Sequence, residues 1–172
     1  MASTITMEDS QKLHSLNSQW TLWGHLPHDT DWSLKSYKKI HTFNTVEDHK
    51  VLLDIIPEKM VKNCMLFIMR ENTQPIWEDP ANRNGGCFSY KIFNKNVIPI
   101  WNILCHTLVG ECMSTNKDFV SSITGLTISP KKNFCIIKIW VSNCIYQDKT
   151  SLINFESLNT HNCIFKKHIP EY

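Results

Sequence analysis

The chain alternates short apolar runs with turn signals along almost its whole length, and few architectures accept that pattern. Trp20-Thr-Leu-Trp-Gly24 reads as a first strand, and residues 36–43 as a second with alternating character. Further strands are predicted over 64–69, 87–92, 123–128, 134–141 and 163–167. Gly85-Gly86 permits a tight turn with positive φ before the strand over 87–92, and Ser129-Pro-Lys-Lys-Asn133 forms a basic turn. Helical signals are fewer. Thr45-Val-Glu-Asp48 resembles a capping box ahead of Leu52, Leu53 and Ile56, and Pro57 closes that helix. Trp101, Leu104, Cys105, Leu108 and Cys112 give residues 98–112 helical spacing, and a last helix is expected near 150–158. Short connections favour antiparallel pairing. The expected fold is α+β: one curved antiparallel sheet of about eight strands, with about three helices on its convex face.

A chain of 172 residues is the size of one domain. Residues 13–172 are assigned to it, and the polar, aperiodic residues 1–12 to a flexible tail. The hydrophobic share of 42% excludes disorder. A net charge of +2 excludes a polycationic surface, so any nucleic-acid contact has to be local. No run reaches the roughly 20 apolar residues of a membrane span, and no apolar stretch with a cleavage site opens the chain. A reduced, cytoplasmic protein without membrane contact is expected. The seven cysteines form no CxxC pair, so neither a metal site nor a disulfide framework is signalled, and no cofactor is implied. Alanine occurs only at Ala2 and Ala81, a bias that suggests an A/T-rich genome such as that of a virus or parasite.

Six tryptophans are many for this length. Trp20, Trp23 and Trp101 suit a core. Trp32 and Trp77 sit instead in polar stretches, Asp29-Thr-Asp-Trp32-Ser33 and Pro75-Ile-Trp77-Glu-Asp-Pro80. An indole in such a place either caps the core edge or awaits a ligand.

The segment from Pro75 through Trp77-Glu78-Asp79 to Asn82-Arg83-Asn84-Gly85-Gly86 resembles the core motif of translation initiation factor 4E, the eukaryotic family that binds the messenger-RNA cap. Gln19-Trp20-Thr-Leu-Trp23, Phe43-Asn-Thr-Val-Glu-Asp48, Trp101 with Leu108-Val-Gly-Glu111, and Ile139-Trp140 match in the same order, from about His14 onward. The resemblance implies that Trp32 and Trp77 sandwich a 7-methylguanine. It implies that Glu78 accepts hydrogen bonds from the guanine N1–H and exocyclic amine, that the Trp77 backbone N–H meets O6, and that Trp140 packs on the methyl group. The residue types suit that role. N7-methylated guanine is a delocalised cation, indoles attract it by stacking and cation–π forces, and adenine lacks the pair of donors from which Glu78 would accept.

Two surfaces depart from the family pattern. On the phosphate side, Cys87 stands where the family usually has arginine and Ile136 where it has lysine. Lys131 holds the remaining basic position, with Lys132 beside it. The expected consequences are weaker binding of the triphosphate bridge, a flatter salt dependence, and a preference shifted toward the first transcribed nucleotides. On the partner side, the family docks a helical peptide of the scaffold factor 4G, or of repressors, beside a tryptophan, and Lys50 occupies that place. His14-Ser15 replaces a His-Pro pair, Ile103 and His106 replace an acidic residue and a leucine, and Val46 is retained. Loss of an aromatic anchor weakens the usual partner and points to a dedicated one with a reshaped motif. The C-terminal loop of many relatives is expected to be shortened after Ile169-Pro-Glu-Tyr172. The expected function is non-catalytic cap binding for translation initiation, by a chain that is monomeric apart from its partner. A cap-binding repressor and a decoy without cap binding are the rivals, and no nucleophile or acid–base motif signals an enzyme.

Overall fold

The computed structural model describes residues 12–158 and 160–170. Among these, seven strands form a single antiparallel sheet: β1 (Ser15–His25), β2 (Tyr37–Thr45), β3 (Met65–Arg70), β4 (Gly86–Phe93), β5 (Ile123–Pro130), β6 (Phe134–Val141) and β7 (Ile164–Lys167). Their spatial order is β2-β1-β3-β5-β6-β4-β7. The helices are α1 (Val46–Ile55), α2 (Glu58–Asn63), α3 (Val97–Val109) and α4 (Lys117–Ser122). The expected tail falls outside the described residues except for Lys12.

Because successive side chains alternate between faces, the continuously apolar central strands feed a cluster on each side of the sheet. On β3, Leu66 and Ile68 join the main core, while Phe67 and Met69 face the other way. On β6, Ile137, Ile139 and Val141 join the core and Trp140 the opposite cluster. The main core is closed by α3, whose Val97, Ile100, Trp101, Leu104, Cys105 and Leu108 form one buried stripe at helical spacing. The opposite face carries a smaller cluster of Phe67, Met69, Cys87 and Trp140, with Trp23, Tyr37 and Met65 packed on it. Trp20 and Trp101 are core residues, as expected, and Trp23 lies half-buried at the edge of this second cluster.

The expected cap of α1 is present: Asp48 N donates to Thr45 Oγ1 at 3.2 Å. Pro57 ends α1 and also opens α2, which the sequence reading did not separate. The helix expected near 150–158 is absent. Asp148 Oδ1 accepts from Thr150 N at 2.9 Å and caps a single 3-10 turn, Lys149–Ser151. Beyond it Ile153 N donates to Met113 O, and Leu152 and Leu158 anchor an irregular strap in the core. Asp148 and Ser114, whose Oγ donates to Ser151 O, claim backbone groups there and outweigh the apolar spacing.

No glycine among the described residues has positive φ, which corrects the tight-turn reading of Gly85-Gly86. Close approach is the reason instead: a Cβ on Gly85 would lie 1.7 Å from Val141 O, and one on Gly86 2.5 Å from Lys166 O. No helix among the described residues is long and apolar enough to cross a membrane.

Candidate functional site

A cleft of about 440 Å³ opens over the second cluster, on the sheet face away from α3. Trp32, Trp77, Glu78, Trp140 and Lys131 all line it. These residues come from the β1–β2 loop, the β3–β4 loop, β6 and the β5–β6 turn, so only the fold brings them together.

Trp32 is 57% exposed and held by its own loop. Asp29 Oδ1 accepts from Asp31 N at 2.9 Å, and Asp31 Oδ1 accepts from Ser33 N at 2.8 Å, two local turns on either side of the indole. The backbone and side-chain hydrogen bonds from Ser33 keep the Asp31 carboxyl below its ordinary range. One face of Trp32 lies parallel on His25, with centroids 4.3 Å apart and 1° between planes. His25 is buried, and its Nε2–H donates to Asp31 O at 2.9 Å.

Trp77, 36% exposed, is held by buried polar groups beneath its loop. Asp79 Oδ2 accepts from Gln74 N at 3.0 Å and Oδ1 from Ala81 N at 2.8 Å. Asn82, with no exposed surface, donates to Gln74 O at 3.0 Å and to Ile76 O at 2.9 Å. Its Oδ1 accepts from Thr124 Oγ1 at 2.8 Å, which ties the loop to β5. His168 stacks under Trp77 at 5.4 Å and 14°, and donates from Nδ1 to Asn82 O at 2.8 Å. Burial pushes the His168 pKa down, which favours the neutral imidazole under Trp77.

Each rim indole is thus backed by an imidazole, while the floor is Phe67 and Trp140, edge-on at 6.4 Å. Tyr37 meets Phe67 at 5.3 Å, and burial, then the charges of Glu78 and Asp31, push its phenol up to about 12. Tyr37 therefore stays a neutral hydroxyl beside the Glu78 side of the cleft.

Lys132 does not line this cleft. It belongs to an adjoining groove of about 490 Å³ that shares Trp32, Met65, Ser129 and Lys131 with the cleft and adds Lys62 and His28. The sequence reading missed His25, His168 and Lys138. Only Lys138 carried a local signal, its spacing two residues before Trp140.

The expected partner residues gather at the helical side of the molecule. His14 donates to Glu47 through both its backbone N, at 3.0 Å, and Nδ1, at 2.6 Å, and its carbonyl accepts from Val46 N. That side-chain bond holds the Glu47 carboxyl down at about 2. Val46 and Ile103 are exposed, and Lys50 lies 3.9 Å from Asp54. His106 meets buried His49 at 3.1 Å. Burial, then the charge of His106, lowers the His49 pKa to about 4.

Fold and cleft together define a single-sheet α+β protein with an aromatic recess on the face opposite its long helix. The chain belongs to the family Eukaryotic initiation factor 4E, which matches residues 15–169. It is 31% identical over 157 residues to a Caenorhabditis elegans protein named eukaryotic translation initiation factor 4E-1, covering 87% of this chain and 71% of that one. It is 30% identical over 145 residues to eukaryotic translation initiation factor 4E-2 of Schizosaccharomyces pombe, covering 80% of this chain and 57% of the relative. A schistosome initiation factor 4E, solved with m7GpppG and a 4E-binding protein, has the same fold. Its TM-score is 0.70 at 21% identity, covering 77% of this chain and 74% of that one.

Proposed function

We propose that the cleft binds the 7-methylguanosine cap of messenger RNA and that the chain serves translation initiation as a non-catalytic cap reader. One observation carries the reading: Trp32, Trp77, Glu78 and Trp140, from three separate segments, line a single cleft. Its volume of about 440 Å³ suits one nucleotide. The methylated base stacks between the Trp32 and Trp77 indoles, each already supported from behind. Stacking contributes roughly 1–3 kcal/mol per base and a desolvated cation–π contact about 2 more. Glu78 accepts from N1–H and the exocyclic amine, the Trp77 backbone N–H meets O6, and Trp140 receives the methyl group from the floor. Lys131 meets the phosphate bridge at the cleft mouth. Lys132, with Lys62, provides for the nucleotides that follow, along the adjoining groove.

The surface formed by His14, Val46, Lys50, Ile103 and His106 receives a protein partner, a 4G-like scaffold or a dedicated protein with a modified motif. Tryptophan fluorescence titration with 7-methyl-GTP and with GTP tests the base site. Quenching by the methylated nucleotide at least tenfold tighter than by GTP is expected, and Glu78→Gln should erase the preference for guanine over adenine. Equal binding of the methylated and unmethylated forms would refute the reading. In a cap-dependent translation extract, added protein should raise capped reporter output, whereas a fall would establish the repressor instead.

A further inference from the structure

The cleft holds a cation that the family's motif positions do not provide. Lys138 stands two residues before Trp140 on β6, so strand alternation turns both toward the cleft, and Lys138 lines it together with Lys131. On β4, Cys87 pairs with Trp140 and Ser89 with Lys138. Lys138 is therefore the diagonal neighbour of Cys87, the position at which the family pattern carries arginine. On the other side of β4, Lys166 of β7 lies directly opposite Cys87 and shares its face. Cys87 itself is a buried thiol. Burial raises its pKa, and the charges of Lys138 and Lys166 act on it in the opposite direction, which places both ammonium groups within electrostatic reach.

We infer that Lys138, flanked by Lys166, binds the phosphate bridge of the cap and takes over the task of the arginine that Cys87 displaced. The inference rests on the cap-binding reading of the cleft. A lysine carries its charge on a flexible stem of four carbons, so a strand neighbour can deliver an ammonium to the space a guanidinium would fill. It delivers a point charge without a bidentate fork, so the bridge is held by charge and not by fixed geometry. Cations facing the bridge then number Lys131 and Lys138 within the cleft, with Lys166 behind. The salt dependence is steeper than Lys131 and Lys132 alone would give.

The test compares 7-methylguanosine, 7-methyl-GMP and 7-methyl-GTP binding to the full chain and to Lys138→Gln, Lys138→Arg and Lys166→Gln, at two salt concentrations. Lys138→Gln should bind the nucleoside as the unmodified chain does, which also shows that it is folded. It should lose about tenfold in 7-methyl-GTP affinity, with a salt slope smaller by about one. Lys138→Arg should keep both, and Lys166→Gln should lose less than Lys138→Gln. Unchanged triphosphate affinity and slope in Lys138→Gln would overturn the inference while the base site stands. Failure of the unmodified chain to bind nucleoside and nucleotide alike would refute the cap-binding reading, and this inference with it.

Discussion

Replacing Asn82 by alanine should damage stability and ligand binding together, because one buried amide holds the loop that presents Trp77 and Glu78. The side chain has no exposed surface and makes three hydrogen bonds: to Gln74 O, to Ile76 O and from Thr124 Oγ1. Each bond contributes about 1 kcal/mol net, so alanine costs about 3 kcal/mol, with more if the freed carbonyls stay dry. For a chain of this length that lowers Tm by about 6–12 °C. Urea unfolding measures the first quantity and calorimetry the second. Thr124→Val removes only the third bond and should cost about 1 kcal/mol. In the double variant the two losses should fall short of their sum by about 1 kcal/mol, because they share that bond. The freed loop also loses its preorganisation, so 7-methyl-GTP should bind Asn82→Ala about tenfold more weakly under conditions where the variant is folded. A loss below about 1 kcal/mol with unchanged ligand affinity would refute the reasoning.

Other expectations follow from single contacts. Gly85→Ala would put a methyl carbon 1.7 Å from Val141 O, so the β4–β6 junction has to move, and a loss on the order of 3 kcal/mol in urea unfolding is expected. Near-neutral behaviour would show that the backbone yields freely there. Buried His49, lowered from 6.5 to about 4, is protonated more readily in the unfolded chain. Its contribution is therefore full well above pH 6.5 and shrinks as pH falls toward 4, by about 1.5 kcal/mol between pH 6.5 and 5. His49→Phe should flatten that slope, and an unchanged slope would contradict the assignment. Lys50 is exposed and its pairing with Asp54 is long, so Lys50→Trp should cost little stability. It should raise affinity for a conventional 4G-type helical peptide about tenfold or more, measured by anisotropy. No gain would mean that the groove is reshaped beyond this one position.

Legibility in the sequence tracked how local each determinant is. The α3 stripe from Trp101 to Leu108 and the Thr45 cap depend on neighbours a few residues apart and are where their spacing put them, whereas Cys112, expected on the same stripe, is exposed in the turn after α3 ends at Val109. The strap after Asp148 was misread because its apolar residues mimic a helix while Leu152 and Leu158 answer to distant core partners. The Gly85-Gly86 pair was recognised as special for the wrong reason, since the constraint comes from Val141 and Lys166 across the sheet. In the site, Trp32 and Trp77 stood out by their polar surroundings, and the family motif identified Glu78 and Trp140. The imidazole behind Trp77 was invisible, because His168 lies 91 positions away and meets it only through β7 and Asn82, while His25 lies near Trp32 in sequence but meets it only once the loop after β1 folds back. Lys138 could be seen only once β6 had a facing, which Trp140 supplies.

On the proposed function, two supported indoles grip a methylated base. Retention on immobilised 7-methyl-GTP, compared between the unmodified chain and Trp77→Ala with equal folding verified by circular dichroism, tests it most directly. The unmodified chain should be held and released by free 7-methyl-GTP but not by GTP, while Trp77→Ala should pass through. Equal retention of the two proteins would contradict it.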